Sequence, residues 1–233
     1  MEGSMLQVSR KTRALTAVMV VVVALGVFVA SASALPARFF GVVPQSTLTQ
    51  GEFNTLQQGK VQAMRVALVW GGIQPKRGAA YEWSGFDTLM EESAKANIEI
   101  LPFIVGTPAW AVPNAKVPGT SATAPAHLPV SGSAGTAWTA LLKAAVARYG
   151  SNGTFWAENP LVPKLPIKAW QVWNEPNFKY FVAKPNPAEY GKLVKLSSTA
   201  IKSVDPTAQV VLAGLFAKPA GGRRLAGKKV ANP

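Results

Sequence analysis

The 233-residue chain has no cysteine, one histidine (His127), and 11 acidic residues against 24 lysines and arginines. Each shortage removes a class of function. Without cysteine there is no disulfide, no thiolate nucleophile and no Cys-ligated zinc or iron–sulfur centre. With one histidine there is no site that needs a pair, the H-E-x-x-H zinc helix included. A His-assisted nucleophile could run only through His127. No metal site and no cofactor is suggested. What is abundant points the other way: 48% of residues are hydrophobic, with 7 Trp and 10 Phe. That apolar bulk supports a core and excludes disorder of the whole chain. The length suits one domain or a large part of one.

The formal charge of +13 first suggests nucleic acid or another anionic polymer. The placement of the charges changes that. Residues 1–34 contribute +2, residues 218–233 contribute +5 and residues 35–217 contribute +6. The first segment has Arg10, Lys11 and Arg13, then an uncharged apolar run over 14–30, then Ala30-Ser31-Ala32-Ser33-Ala34. Basic start, apolar centre and small-residue exit predict a signal peptide cut after Ala32 or Ala34, and a secreted, extracellular chain. The alternative is an uncleaved membrane anchor over 14–30, a little shorter than the usual span of about 20 residues. The last segment holds Lys218, Arg223, Arg224, Lys228 and Lys229 without apolar periodicity, which predicts a disordered basic tail. More than half the excess charge thus lies outside the expected folded part, and nucleic acid is not the expected partner.

Between these ends, apolar runs alternate with amphipathic stretches. Strands are predicted over 39–43, 61–70, 98–105, 167–173 and 209–215. Helices are predicted over 52–60, from a capping-box-like Ser84-Gly85-Phe86-Asp87, over 137–149 and over 186–204. Residues 111–136, rich in Pro, Gly, Ser, Thr and Ala, predict a long loop. Strict β-α alternation argues for an α/β architecture, and the near-continuous apolar strands suit parallel strands buried on both faces. Periodicity does not choose between a barrel and a doubly wound sheet.

One stretch carries chemistry. Ala169-Trp170-Gln171-Val172-Trp173-Asn174-Glu175-Pro176-Asn177 places a carboxylate just past the end of a buried strand. That end of a parallel barrel is where active sites are built. Aromatic neighbours would shield Glu175 from water, and Asn174 could bond a ligand hydroxyl. The plain alternative is a turn with a solvated Glu and a Pro that stops the strand.

Trp173-Asn174-Glu175-Pro176-Asn177 resembles the fourth-strand signature of clan A glycoside hydrolases, in their β-xylosidase-like and cellulase-like bacterial secreted branches. Met64-Arg65-Val66-Ala67-Leu68-Val69-Trp70 with Ile73-Gln74-Pro75 resembles their second strand and its exit. Pro108-Ala109-Trp110 resembles the third-strand exit. Arg148-Tyr149-Gly150, Gly153-Thr154-Phe155-Trp156 and Asn159-Pro160 resemble the approach to strand four. The resemblance covers about residues 38–216. It implies a (β/α)8 TIM barrel that hydrolyses O-glycosidic bonds of a polysaccharide or oligosaccharide with retention. It implies that Glu175 is the acid/base, that Asn174 contacts the sugar 2-hydroxyl, and that Arg65 supports the second carboxylate. Trp70, Trp110 and Trp173 sit at strand ends where indoles could stack on sugar rings, the alternative for each being ordinary packing.

Retention needs two carboxylates about 5–5.5 Å apart. The resemblance places the nucleophile on strand seven, whereas about five β/α units are legible here. Glu91, Glu92, Glu189 and Asp205 read as solvated helix or helix-end charges. Glu99 opens a strand at the wrong end and Glu52 starts the first helix. Glu82 and Glu158 lie in loops that could approach the top face. Residues 35–217 are therefore expected to be the N-terminal part of a truncated barrel, inactive or a poor catalyst alone, with open sheet edges prone to self-association. The competing expectation is a non-catalytic secreted carbohydrate-binding or cell-surface protein. A third is a basic protein that binds an anionic polymer through the tail.

Overall fold

The computed structural model describes residues 38–112 and 127–217. The expected leader over 1–34, the middle of the 111–136 loop and the 218–233 tail lie outside the described residues.

Five strands, β1 (Gly41–Val42), β2 (Ala63–Val69), β3 (Glu99–Val105), β4 (Ala169–Val172) and β5 (Gln209–Leu212), form one sheet. Every neighbouring pair is parallel, and the spatial order β1-β2-β3-β4-β5 is the chain order. A doubly wound sheet reverses direction at a switch point; a barrel does not. The sequential order therefore makes this sheet part of a (β/α)8 barrel. The helices are α1 (Gln50–Gln58), a short α2 (Trp70–Ile73), α3 (Ser84–Lys95), α4 (Gly132–Tyr149), a short α5 (Thr154–Glu158) and α6 (Pro187–Lys202). No helix among the described residues is long and apolar enough to cross a membrane.

Alternate strand residues are buried. Met64, Val66 and Leu68 of β2, Ile100 and Ile104 of β3, and Trp170 and Val172 of β4 belong to one core with Phe86 and Met90 of α3, Leu141, Leu142 and Ala145 of α4, and Leu193 and Ile201 of α6. The intervening Arg65, Leu101 and Phe103 are half-buried and Ala67 is exposed. β2 and much of β3 are thus covered on the helix face only, not on both faces as their continuous apolar runs suggest, whereas in β4 Gln171 is buried as well as Trp170 and Val172. β1 is also shorter than expected, with Phe39, Phe40 and Val43 exposed.

Helix starts correct two further expectations. The capping box is at Thr49, whose side chain accepts from the Glu52 N–H while Glu52 Oε2 accepts from the Thr49 N–H at 2.7 Å. At α3 the cap position is Trp83, with no side-chain cap bond. Asp87 instead serves as an anchor. Its Oδ1 accepts from Arg148 Nε (2.8 Å) and the Tyr149 hydroxyl (2.6 Å), and its Oδ2 accepts from Arg148 Nη2 (2.7 Å). This fork ties the end of α4 to the start of α3. It raises the proton affinity of Arg148 through the Asp87 hydrogen bonds, while burial raises that of Tyr149. Gly153 follows closely because a Cβ there would strike the Arg148 carbonyl.

Asp205, expected to be solvated, is buried and 8% exposed. It accepts from Ser151 N and from the backbone and hydroxyl of Thr207, bonds that hold its pKa down at about 2. Glu92 is also turned partly inward, its Oε2 buried.

Candidate active site

The site begins with a sharp turn. Trp173 and Glu175 both have positive φ, 69° and 38°, where side chains crowd the backbone. Each such residue costs on the order of 1–3 kcal/mol unless its surroundings hold it. Here they do. Trp173 donates its N–H to the Ile104 carbonyl (2.9 Å) and its indole N–H to the Phe181 carbonyl (3.0 Å). Its own carbonyl accepts from Gln171 Nε2 (2.8 Å), and the Glu175 carbonyl accepts from Phe178 N (2.9 Å). The turn leaves Asn174 and Glu175 half-buried just past the C-terminal end of β4.

Arg65 of β2 reaches this turn across β3. Its Nε donates to Gln171 Oε1 (2.8 Å), its Nη2 donates to Asn174 Oδ1 (2.7 Å), and its guanidinium carbon lies 4.0 Å from the Phe103 ring centroid. Burial pulls the guanidinium below its ordinary value, and the negative charge of Glu175 pulls the other way. Because Arg only donates, the Asn174 oxygen must face it. The Asn174 amide N–H groups are then turned away from Arg65 and free of any protein acceptor among the described residues.

Two further residues set the frame, and neither was singled out from sequence. Gln171 orients both Arg65 and Trp173 and is 3% exposed; its signal was a polar residue inside an apolar strand. Tyr190 donates its hydroxyl proton to the Val172 carbonyl (2.9 Å) and accepts from Ala213 N (2.7 Å). It staples the ends of β4 and β5.

The three candidate sugar-stacking tryptophans separate. Trp70 and Trp173 are 0% and 1% exposed and present no free indole face. Trp70 meets Trp110 at 5.4 Å and Trp138 at 5.6 Å, and Trp138 meets Trp173 at 5.9 Å, all at steep angles. Trp70 and Trp173 are therefore packing residues beneath the site. Trp110 is half-buried; its indole N–H bonds the Gln74 carbonyl at 2.8 Å and Arg77 lies over its ring.

The remaining acids lie elsewhere. Glu52 caps α1, Glu91 and Glu92 pair with Lys95, and Glu189 pairs with Lys192. Glu99, at the opposite end of β3, pairs with Arg38 and Lys168. Of the two acids expected in loops, Glu158 instead ends the short helix α5 and is bound to Arg148, and Glu82 is exposed ahead of α3. Among the described residues no second carboxylate joins Glu175, and no group of three or more His, Asp or Glu could hold a metal ion. Thr107, just past β3, donates its hydroxyl to the His127 carbonyl (2.6 Å), which brings the lone histidine to the strand-end side.

No family model matches the chain. Over 46 residues it is 46% identical to a β-xylosidase from Geobacillus stearothermophilus, a stretch that is 19% of this chain and 9% of that protein. Its structure resembles a GH39 β-xylosidase from Caulobacter crescentus (TM-score 0.52, 21% identity, 75% of this chain and 40% of that one). It also resembles the GH39 enzyme from Xanthomonas axonopodis pv. citri (0.53, 21%, 75% and 35%) and a glucosidase from Croceicoccus marinus (0.54, 14%, 76% and 37%). The structural neighbours are thus family 39 and other clan A glycoside hydrolases, and the chain spans less than half the length of each of these three structures. At these identities the likeness establishes the fold, part of a TIM barrel.

Proposed function

We propose that the chain carries the acid/base side of a retaining glycoside hydrolase site, acting on O-glycosidic bonds of a polysaccharide or oligosaccharide. The observation that supports this most directly is the Arg65–Asn174–Glu175 array on the strained turn past β4. Glu175 gives its carboxyl proton to the leaving oxygen as the glycosidic C–O bond breaks. The carboxylate that takes the sugar as an ester is not among the described residues, so the described part supplies the acid/base half of the reaction alone. Glu175, now ionised, accepts a proton from the water that releases the sugar. Asn174, its oxygen held by Arg65, offers its amide N–H to the sugar 2-hydroxyl. Trp110 supplies the partly exposed indole, while Trp70 and Trp173 support the turn from behind. Residues 1–34 deliver the chain to the cell exterior.

The test is hydrolysis of aryl glycosides by the purified chain. Turnover lost in Glu175→Gln supports the proposal; turnover unchanged in that variant overturns it. A second reading, carbohydrate binding without catalysis, is favoured by the absence of a second site carboxylate among the described residues. Calorimetric sugar binding that needs Asn174, without turnover, would select it.

A further inference from the structure

β1 and β2 part early. They pair only at Gly41↔Ala63 and Val42↔Met64, and Pro44, which has no N–H to give a neighbouring strand, follows directly on Val43. Above this point a cavity of about 620 Å³ lies between residues 44–48, α1, α3 and the helix-facing side of β2. Gly72 and Gly85 line it, and a Cβ at either would meet nothing within 4 Å. Arg65, Asn174 and Glu175 do not line it, so it is separate from the site past β4.

Phe53, Val66, Leu68, Phe86 and Leu89 make the walls largely apolar. The charged residues in them are two acids, Glu82 and Glu92. Among the described residues no lysine, arginine or histidine lines the cavity, in a chain with 24 lysines and arginines against 11 acids. Glu92 is the more enclosed, its side chain 17% exposed. The exposed Lys95 bonds its Oε1 at 3.1 Å, whereas its Oε2 is buried and bonds no other group among the described residues. A buried carboxylate oxygen without a donor is costly, so a ligand that brings an N–H to it is favoured. Ser84, Thr88 and Glu92, spaced by four, share one face of α3, which sets Glu92 about 12 Å along the cavity wall from Ser84. A bare metal ion needs several oxygens gathered together, and no such group is present among the described residues. The apolar walls call for an apolar body behind the charge. We infer that this cavity is a binding site for an organic ammonium ion, a primary amine on an extended apolar body, whose N–H groups bond Glu92 Oε2 while the body lies along Phe53, Leu68 and Leu89.

The experiment titrates n-hexylammonium and 1-hexanol, which share a body and differ in charge, into the full chain by calorimetry. Hexylammonium is expected to bind at one site and about tenfold or more tighter than hexanol, the increment of a charge-assisted hydrogen bond. Glu92→Gln should bring the ammonium down to the level of the alcohol. Gly85→Leu puts a good helix former on α3 and fills the cavity from that wall, so it should weaken both probes; it also decides the matter should Glu92→Gln fail to fold. Equal binding of the two probes by the wild-type chain overturns the site. So does an ammonium preference that survives Glu92→Gln, binding undiminished in Gly85→Leu, or binding of neither probe.

Discussion

Arg65 and Arg148 are both partly buried, and the protein uses them in opposite ways. Arg148, at the end of α4, grips both oxygens of Asp87 and also reaches Glu158. Its charge is neutralised in place and its proton affinity rises. Arg65 spends its hydrogen bonds on two amide oxygens, those of Gln171 and Asn174. Burial lowers its proton affinity, and Glu175 opposes this through space without a direct bond to it. An arginine bound to its carboxylate makes a fastening. One that holds amides leaves the nearby carboxylate available for a reaction.

That contrast can be broken at four points. The largest effect is expected for Glu175→Gln: whatever glycoside turnover the chain shows should fall by at least about 100-fold, the usual range for a general acid. Its denaturation midpoint should match the wild type, because no hydrogen bond to the side chain holds the turn. Asp87→Asn should do the reverse. Losing the charge opposite Arg148 should lower stability by about 2–3 kcal/mol in urea unfolding, with sugar affinity retained. Arg65→Lys keeps a charge but loses the fork that aligns Asn174. Sugar affinity should fall about tenfold, or 1.4 kcal/mol, with a smaller change in stability. The smallest effect concerns acid. Asp205 has its pKa held at about 2, below its ordinary 3.8. Its stabilisation is therefore complete above the ordinary value and is lost as pH falls toward 2. Asp205→Asn should flatten the stability–pH curve between about pH 4 and 2, measured by thermal melts.

Much of this was legible in the sequence. The five strands and the helices between them showed in the alternation of apolar runs, and Trp173-Asn174-Glu175 stood out because a carboxylate followed a buried strand. Spatial order was not legible: local periodicity carries no record of which strands are neighbours, and the sequential pairing decided for a barrel. Partners distant in sequence were also hidden. Asp87 and Arg148 are 61 positions apart, so Asp87 looked like a helix-start acid. Asp205 looked solvated because Ser151 N, which reaches it from another loop, leaves no mark in the local sequence. Trp70 and Trp173 were candidate sugar platforms because a strand end can face either the lumen or the core; their burial decided for the core.

The four indoles of Trp110, Trp70, Trp138 and Trp173, each within 6 Å of the next, also form a single optical unit. Chromophores this close and this steeply inclined couple their transitions, so the near-ultraviolet circular dichroism of the chain should carry their joint signature. Trp173 sits on the turn that aims Glu175, and Trp110 sits at the exit of β3. A shift of that turn would therefore alter a spectrum to which the whole row contributes, giving the protein a built-in, label-free reporter of its own strand-end geometry.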